Sequence, residues 1–273
     1  MPSLNVLFWN VGKKNLTTQL VNLARDKDVD ILVLVENVVS SEQLVRALNH
    51  QLTGYHSNHP ISQCDKVTII TRFPHAFIPP VYETNRLTVR KMQVPMYPPF
   101  LLTALHLIDK GNASVESQTS EAYVTVRELI GEEKKHLLDA MIVVGDFNMN
   151  PFDAGMVSAA GFHGTMSSEL AIEGSRKIQE RDYAYFYNPT WGLFGDLIKE
   201  ASGTYYYRNA EQVCLQWNMF DQVLIRPGLI PNFVKESLTI IQQDGVTSLL
   251  TQKNRPNQSL YSDHLPLFFT LKF

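Results

Sequence analysis

Eight polar residues stand at or near the ends of apolar runs, and their types can do chemistry together. Asn10 follows Val6–Trp9, Glu36 follows Ile31–Val35, and His106 closes the run that starts at Phe100. Asp146 and Asn148 follow the run from Met141, Asp221 sits inside Met219–Ile225, and Asp263 with His264 precedes Leu265–Leu271. A carboxylate placed directly behind five buried aliphatics is costly to desolvate unless it is paired, hydrogen-bonded or bound to a cation. Any one of these acids alone reads more simply as a helix cap or a loop-closing acceptor. The whole set, presented the same way by successive strands, forms a repeated arrangement that independent caps would not produce.

The elements that must carry this set are legible in the same runs. Short β-rich segments also occur at Val67–Thr71, Leu87–Val94 and Phe233–Ile241. Helical spacing appears at Leu16, Leu20, Leu23 and Ala24, and again at Leu44, Val45, Leu48 and Leu52 behind the cap candidates Ser40 and Ser41. A longer helix is expected from about Ser117 to His136. From Gly161 to Tyr207, Gly, Pro and Tyr break every period, which predicts mostly loops and short turns. Strand follows strand in the second half, so strict βαβ alternation is excluded. The pattern predicts an α/β fold of two packed mixed sheets with helices outside them, a four-layer α/β/β/α sandwich over a single domain, 1–273.

Composition narrows the class. The 273 residues are 44% hydrophobic and only 19% charged, enough apolar surface for a sizeable core. Lys and Arg number 24 against 27 Asp and Glu, a net charge of -3, so any phosphate-binding surface must be local. Cys64 and Cys214 are far apart and match neither a disulfide framework nor a zinc ribbon. The N-terminal stretch lacks the cationic start and long apolar core of a signal peptide, and no run approaches a membrane span. A cytoplasmic protein that makes no use of a membrane is expected. Walker, nucleophile-elbow and dinucleotide fingerprints are missing from the sequence.

Two of the segments carry a resemblance. Gly145-Asp146-Phe147-Asn148 and Ser262-Asp263-His264, in this order, resemble the GDFN and SDH motifs of the endonuclease/exonuclease/phosphatase superfamily, the DNase I-like fold. Asn10, Glu36 and His106 fall in the expected order before them. The resemblance implies hydrolysis of a phosphoric ester. It implies that Glu36 and Asp263 bind a divalent metal, with Asn10 close to it directly or through water. Asp146 would orient or deprotonate the attacking water, and Asn148 would hold water and phosphate. His264 would meet the scissile phosphate, oriented by Asp221, while His106 would donate to another phosphate oxygen. Elementary chemistry agrees, because an anionic phosphodiester needs charge neutralisation and a positioned base. Carboxylate, amide and water ligands favour Mg²⁺ or Mn²⁺ over zinc. The chain departs from the family in having Val35 where many members have Gln, and Val11-Gly12 behind Asn10 where repair endonucleases carry an acid.

Substrate choice is left to the loops. Tyr183–Tyr187 and Tyr205–Tyr207 read mainly as core and edge packing, with stacking on exposed bases as the alternative. Lys13, Arg72, Tyr206 and Arg208 are the candidates for contact with substrate. A nucleic acid, DNA before RNA, is the expected partner and substrate. An inositol phosphate or a lipid would share the catalytic set, and an exposed apolar loop at Pro95–Phe100 would point to lipid. A non-catalytic module or the effector subunit of a larger complex would have the same fold.

Overall fold

The apolar runs become strands where their periodicity predicts them. A computed structural model of the chain describes residues 2–56, 62–197, 201–210 and 212–273. In chain order the strands are β1 (Ser3–Asn10), β2 (Ile31–Val35), β3 (Val67–Thr71), β4 (Pro80–Glu83), β5 (Leu87–Met92), β6 (Phe100–His106) and β7 (Met141–Asp146). The second half adds β8 (Gly164–Thr165), β9 (Ser175–Ile178), β10 (Arg181–Ala184), β11 (Phe186–Tyr187), β12 (Tyr205–Tyr206), β13 (Trp217–Asn218), β14 (Asp221–Ile225), β15 (Phe233–Ile240) and β16 (Leu267–Lys272). The main helices are α1 (Thr17–Asp26), α2 (Ser41–Gln51) and α3 (Val115–His136). Ser40 caps α2, its Oγ accepting from the Gln43 amide, and Ser114 caps α3 in the same way through Ser117.

Two larger sheets result. One has five strands in the order β15-β16-β1-β2-β3, the other seven in the order β4-β5-β6-β7-β14-β11-β8. Alternation along β7 explains the layering. Ile142 and Val144 join the core between the sheets, while Met141 and Val143 join a second core under α3 with Ala122, Val126 and Leu129. β6 divides likewise, Leu102 and Ala104 facing one way and Leu101 and Leu105 the other. A central strand buried on both faces reads as an unbroken apolar run. Leu20, Leu23, Leu44 and Leu48 close the outer face of the five-stranded sheet with α1 and α2. The architecture is the four-layer α/β/β/α sandwich.

The stretch 161–207 holds more strand than expected. It contains β8 to β12, including a hairpin of β9 and β10 in which Arg176 pairs with Tyr183 and Lys177 with Asp182. The two strands of this hairpin show no apolar period because they lie mostly in solvent. Among the described residues, no helix is long and apolar enough to cross a membrane. Cys64 and Cys214 are free thiols.

Candidate active site

Strand register brings the chemistry-bearing residues to one end of both sheets. β1 and β2 run parallel with Asn10 opposite Val35, so Asn10 and Glu36 leave the five-stranded sheet side by side. In the seven-stranded sheet His106 is opposite Asp146, and Asp146 is opposite Asp221. Asp263 and His264 arrive just before β16, which pairs with β1. Sharp turns follow. Glu36 (φ 53°) and Asn148 (φ 53°) both occupy the left-handed region, uncommon for side chains other than glycine and concentrated at functional sites. Gly145 is required because a Cβ there would meet the Leu105 carbonyl oxygen at 2.2 Å. Gly12 (φ 57°) lets the chain turn tightly beneath Ser262 and Asp263, whose side-chain oxygens a Cβ would approach to 3.1 and 3.2 Å.

Asp146 is the hub. Its Oδ2 accepts from Asn10 Nδ2 at 2.9 Å and its Oδ1 from the Asn148 amide at 2.8 Å. The same Oδ2 lies 3.8 Å from His106 Nε2 and 3.8 Å from His264 Nε2, so two imidazoles flank one buried carboxylate. His264 Nδ1 donates to Asp221 Oδ2 at 2.8 Å. Ser262 Oγ ties the end of the chain to its beginning, donating to the Asn10 carbonyl at 2.6 Å and accepting from the His264 amide at 3.0 Å. Trp9 Nε1 donates to the His264 carbonyl. Asn148 Nδ2 donates to the Leu107 carbonyl, fixing the loop behind His106.

Burial works against a charge on His264, but Asp221, through its charge and its hydrogen bond, with Asp146 and Asp263 behind it, lifts the imidazole to about 10. Burial likewise pushes the Asp221 carboxyl up, a tendency that the His264 cation opposes. The pair is therefore an imidazolium held by a carboxylate, with Nε2 left to donate toward an anion.

The donor set fits a hard divalent cation. Glu36 is half-buried and its one basic neighbour among the described residues is His106, at 3.9 Å. Asp263 has no basic side chain in ion-pair range among the described residues. Two carboxylates with no lysine or arginine in ion-pair range among the described residues, beside a buried acid, concentrate negative charge that a metal would neutralise. Asn10 is engaged on both sides of its amide, its Oδ1 accepting from the Gly12 amide at 3.0 Å. Asp146, Asp221 and His264 also have ligand atoms within 4.8 Å of one another, but Asp221 and His264 already satisfy each other.

The four substrate-contact candidates separate. Lys13 is exposed next to the site, its backbone amide bonded to the Glu36 carbonyl. Arg208 is exposed directly after Tyr207. Arg72 must be corrected. It follows β3 at the end where Thr71 pairs with Ile31, opposite the Glu36 end, and is held there by Asp28 (2.5 Å), Asp30 (3.6 Å) and the Tyr55 ring. Tyr206 is also turned away from His264. Its hydroxyl donates to Gln216 Oε1, its ring meets Trp217 edge-on, and the Arg255 guanidinium covers it. The ring that packs on His264 belongs to Tyr205, at 4.6 Å between centroids. Strand alternation dictates that choice, and only the pairing partner of β12 could have revealed which of the two tyrosines faces inward. The segment 95–99 is mostly exposed, Met96 above all, and precedes β6 at the opposite end of that strand from His106, with Tyr97 packed on Phe273.

Comparison with known proteins agrees with this geometry. Residues 7–264 match the model of the Endonuclease/Exonuclease/phosphatase family, and the chain belongs to that family of phosphoric ester hydrolases. No curated protein sequence matches. Among solved structures, an AP endonuclease from Archaeoglobus fulgidus superposes with a TM-score of 0.58 at 13% identity, over 99% of this chain and 100% of that one. TDP2 from D. rerio, complexed with single-strand DNA product, gives 0.55 at 14%, over all of both chains. A mannosyl-6-phosphatase from Bacteroides thetaiotaomicron gives 0.54 at 12%, over 99% and 100%. The fold is shared by all three, and at such identities it leaves substrate to the loops.

Proposed function

We propose that this protein is a divalent-metal-dependent phosphodiesterase acting on nucleic acid, DNA before RNA, and that residues 1–273 act as one catalytic unit in the cytoplasm. The observation that carries the reading is the gathering of two carboxylates with no lysine or arginine in ion-pair range among the described residues, Glu36 and Asp263, with a buried carboxylate, Asp146, and an imidazolium, His264. Glu36 and Asp263 would hold Mg²⁺ or Mn²⁺, with Asn10 beside it, and the ion would supply charge neutralisation for the phosphate. Asp146 takes the proton of the attacking water, its orientation fixed by Asn10 and the Asn148 amide. Asn148 would hold both water and phosphate. His264 Nε2 and His106 Nε2, each 3.8 Å from Asp146, donate to phosphate oxygens on either side of that water. Lys13 and Arg208 are available to flanking phosphates. That an AP endonuclease and a TDP2 complexed with single-strand DNA product share the fold supports a nucleic-acid substrate. The segment 95–99 is mostly exposed, Met96 above all, which is the feature that would favour lipid, but it lies at the end of β6 opposite His106, which supports nucleic acid over lipid.

The test is a cleavage panel of plasmid, single-stranded and abasic DNA, RNA, a sphingomyelin and an inositol phosphate with Mg²⁺, Mn²⁺ or EDTA. Metal-dependent cutting of DNA is expected, reduced about 10²- to 10⁴-fold in Asp146→Asn by loss of the base. Turnover confined to the lipid or the inositol phosphate would move the substrate and keep the catalytic map.

A further inference from the structure

We propose that Tyr205 and Tyr207 form a slot for one flat ring of the substrate, an unpaired nucleobase beside the bond being cut. The inference rests on the nucleic-acid reading above and goes beyond it to the state of the strand. Residues two apart on an extended segment project from the same side. Here the two rings lie within 11° of parallel with centroids 6.5 Å apart. That separation is near the outer limit of ring–ring contact and close to twice the rise of about 3.4 Å per stacked base. That centroid separation is the widest the two ring planes can stand apart, so a planar ring enters as the exposed Tyr207 side chain moves outward from Tyr205.

The two walls differ in a way that suits binding. Tyr205 is fixed, packed on Phe220 at 5.3 Å and on His264 at 4.6 Å, so whatever stacks on it is carried next to the imidazolium. Tyr207 is the outer wall, 51% exposed, and its backbone amide donates to the Gln216 carbonyl at 2.8 Å, which keeps the segment extended beyond β12. The reverse side of the segment is anchored independently. Tyr206 meets Trp217 and Arg255 there, and the Asn218 carbonyl accepts from the Thr204 amide. Arg208 follows the slot immediately and is exposed, in position for the next phosphate. A paired base has both faces covered by its stack and cannot enter, so the slot selects single-stranded or distorted substrate.

The experiment uses single-stranded oligonucleotides with one cleavable phosphodiester and methylphosphonate elsewhere, flanked by thymine or by a tetrahydrofuran spacer. The wild-type protein is expected to cut beside the base about tenfold faster in kcat/KM, within the range that base–aromatic stacking supports. Tyr207→Ala should bring that ratio close to one, and Tyr207→Phe, which keeps the ring, should preserve it. A ratio near one in the wild type, or one that survives Tyr207→Ala, overturns the slot and leaves the nuclease reading standing, because both strands are still cut. If neither strand is cut in Mg²⁺ or Mn²⁺, the nucleic-acid reading fails and the slot fails with it.

Discussion

Two buried charge clusters in this molecule are built on opposite principles. In β4 and β5, Glu83 lies 3.2 Å from Arg90 and also accepts from Thr88, Ser62 and the Gln63 amide. Burial pushes the Glu83 carboxyl up, but those hydrogen bonds and the Arg90 charge hold it below its ordinary value. One anion meets one cation, and both carboxylate oxygens accept hydrogen bonds. At the end of the sheets, four carboxylates gather around two histidines, and one of these, His264, is already committed to Asp221. A closed pair holds two strands together. An open excess of negative charge draws a cation and offers a base, and it is kept in place by neighbouring backbone, as with Asn148 and Ser262, more than by counter-charge.

The largest expected break in this contrast is at Asp221. Replacing it by Asn removes the charge that outweighs the burial of His264, so the imidazole should fall from about 10 toward its ordinary ~6.5 or below. A raised folded-state value means that the pair stabilises the fold fully below ~6.5 and loses that contribution as pH climbs through about 10. Histidine NMR titration of the metal-free protein, with denaturant midpoints across the same range, reads both effects. An unchanged titration in Asp221→Asn would detach His264 from its partner.

Arg90→Met tests the closed cluster. It leaves Glu83 buried without its cation, and loss of one member of a buried pair costs about 3–5 kcal/mol. Urea unfolding should show that loss, with Mg²⁺ or Mn²⁺ affinity unchanged because the site is not involved. Conversely, Glu36→Ala should lower that affinity at least about tenfold by titration calorimetry, since even outer-shell changes cost 10- to 100-fold. Little global stability should go with it.

These contrasts also show what was legible beforehand. The strand runs, α3 and the strand-end position of these acids could be read because burial on both faces leaves a near-continuous apolar signal at whose end a polar residue stands out. Asp146 at the end of β7 and His264 just before β16 stand out in this way. Tyr205 was not legible. In Tyr205-Tyr206-Tyr207, three identical side chains alternate, and the pairing of Tyr205 with His264 across a bridge is a long-range fact that no local pattern encodes. The hairpin of β9 and β10 was missed for the complementary reason, since strands exposed on both sides carry no hydrophobic period. Arg72 was misplaced because a basic residue at a strand end looks alike at either end of a sheet, and only register separates them.

Arg72 carries the smallest effect and the cleanest check of that register argument. Its partners are Asp28, largely exposed, and Asp30, with Tyr55 beneath the guanidinium. Pairs of this kind contribute about 0.2–1 kcal/mol, so Arg72→Ala should shift the unfolding midpoint slightly and leave cleavage of DNA within about twofold of wild type. A larger drop in kcat/KM that steepened at low salt would mean that substrate reaches the far end of the five-stranded sheet. The binding surface would then extend along β3, and the division between a catalytic end and a structural end would not hold.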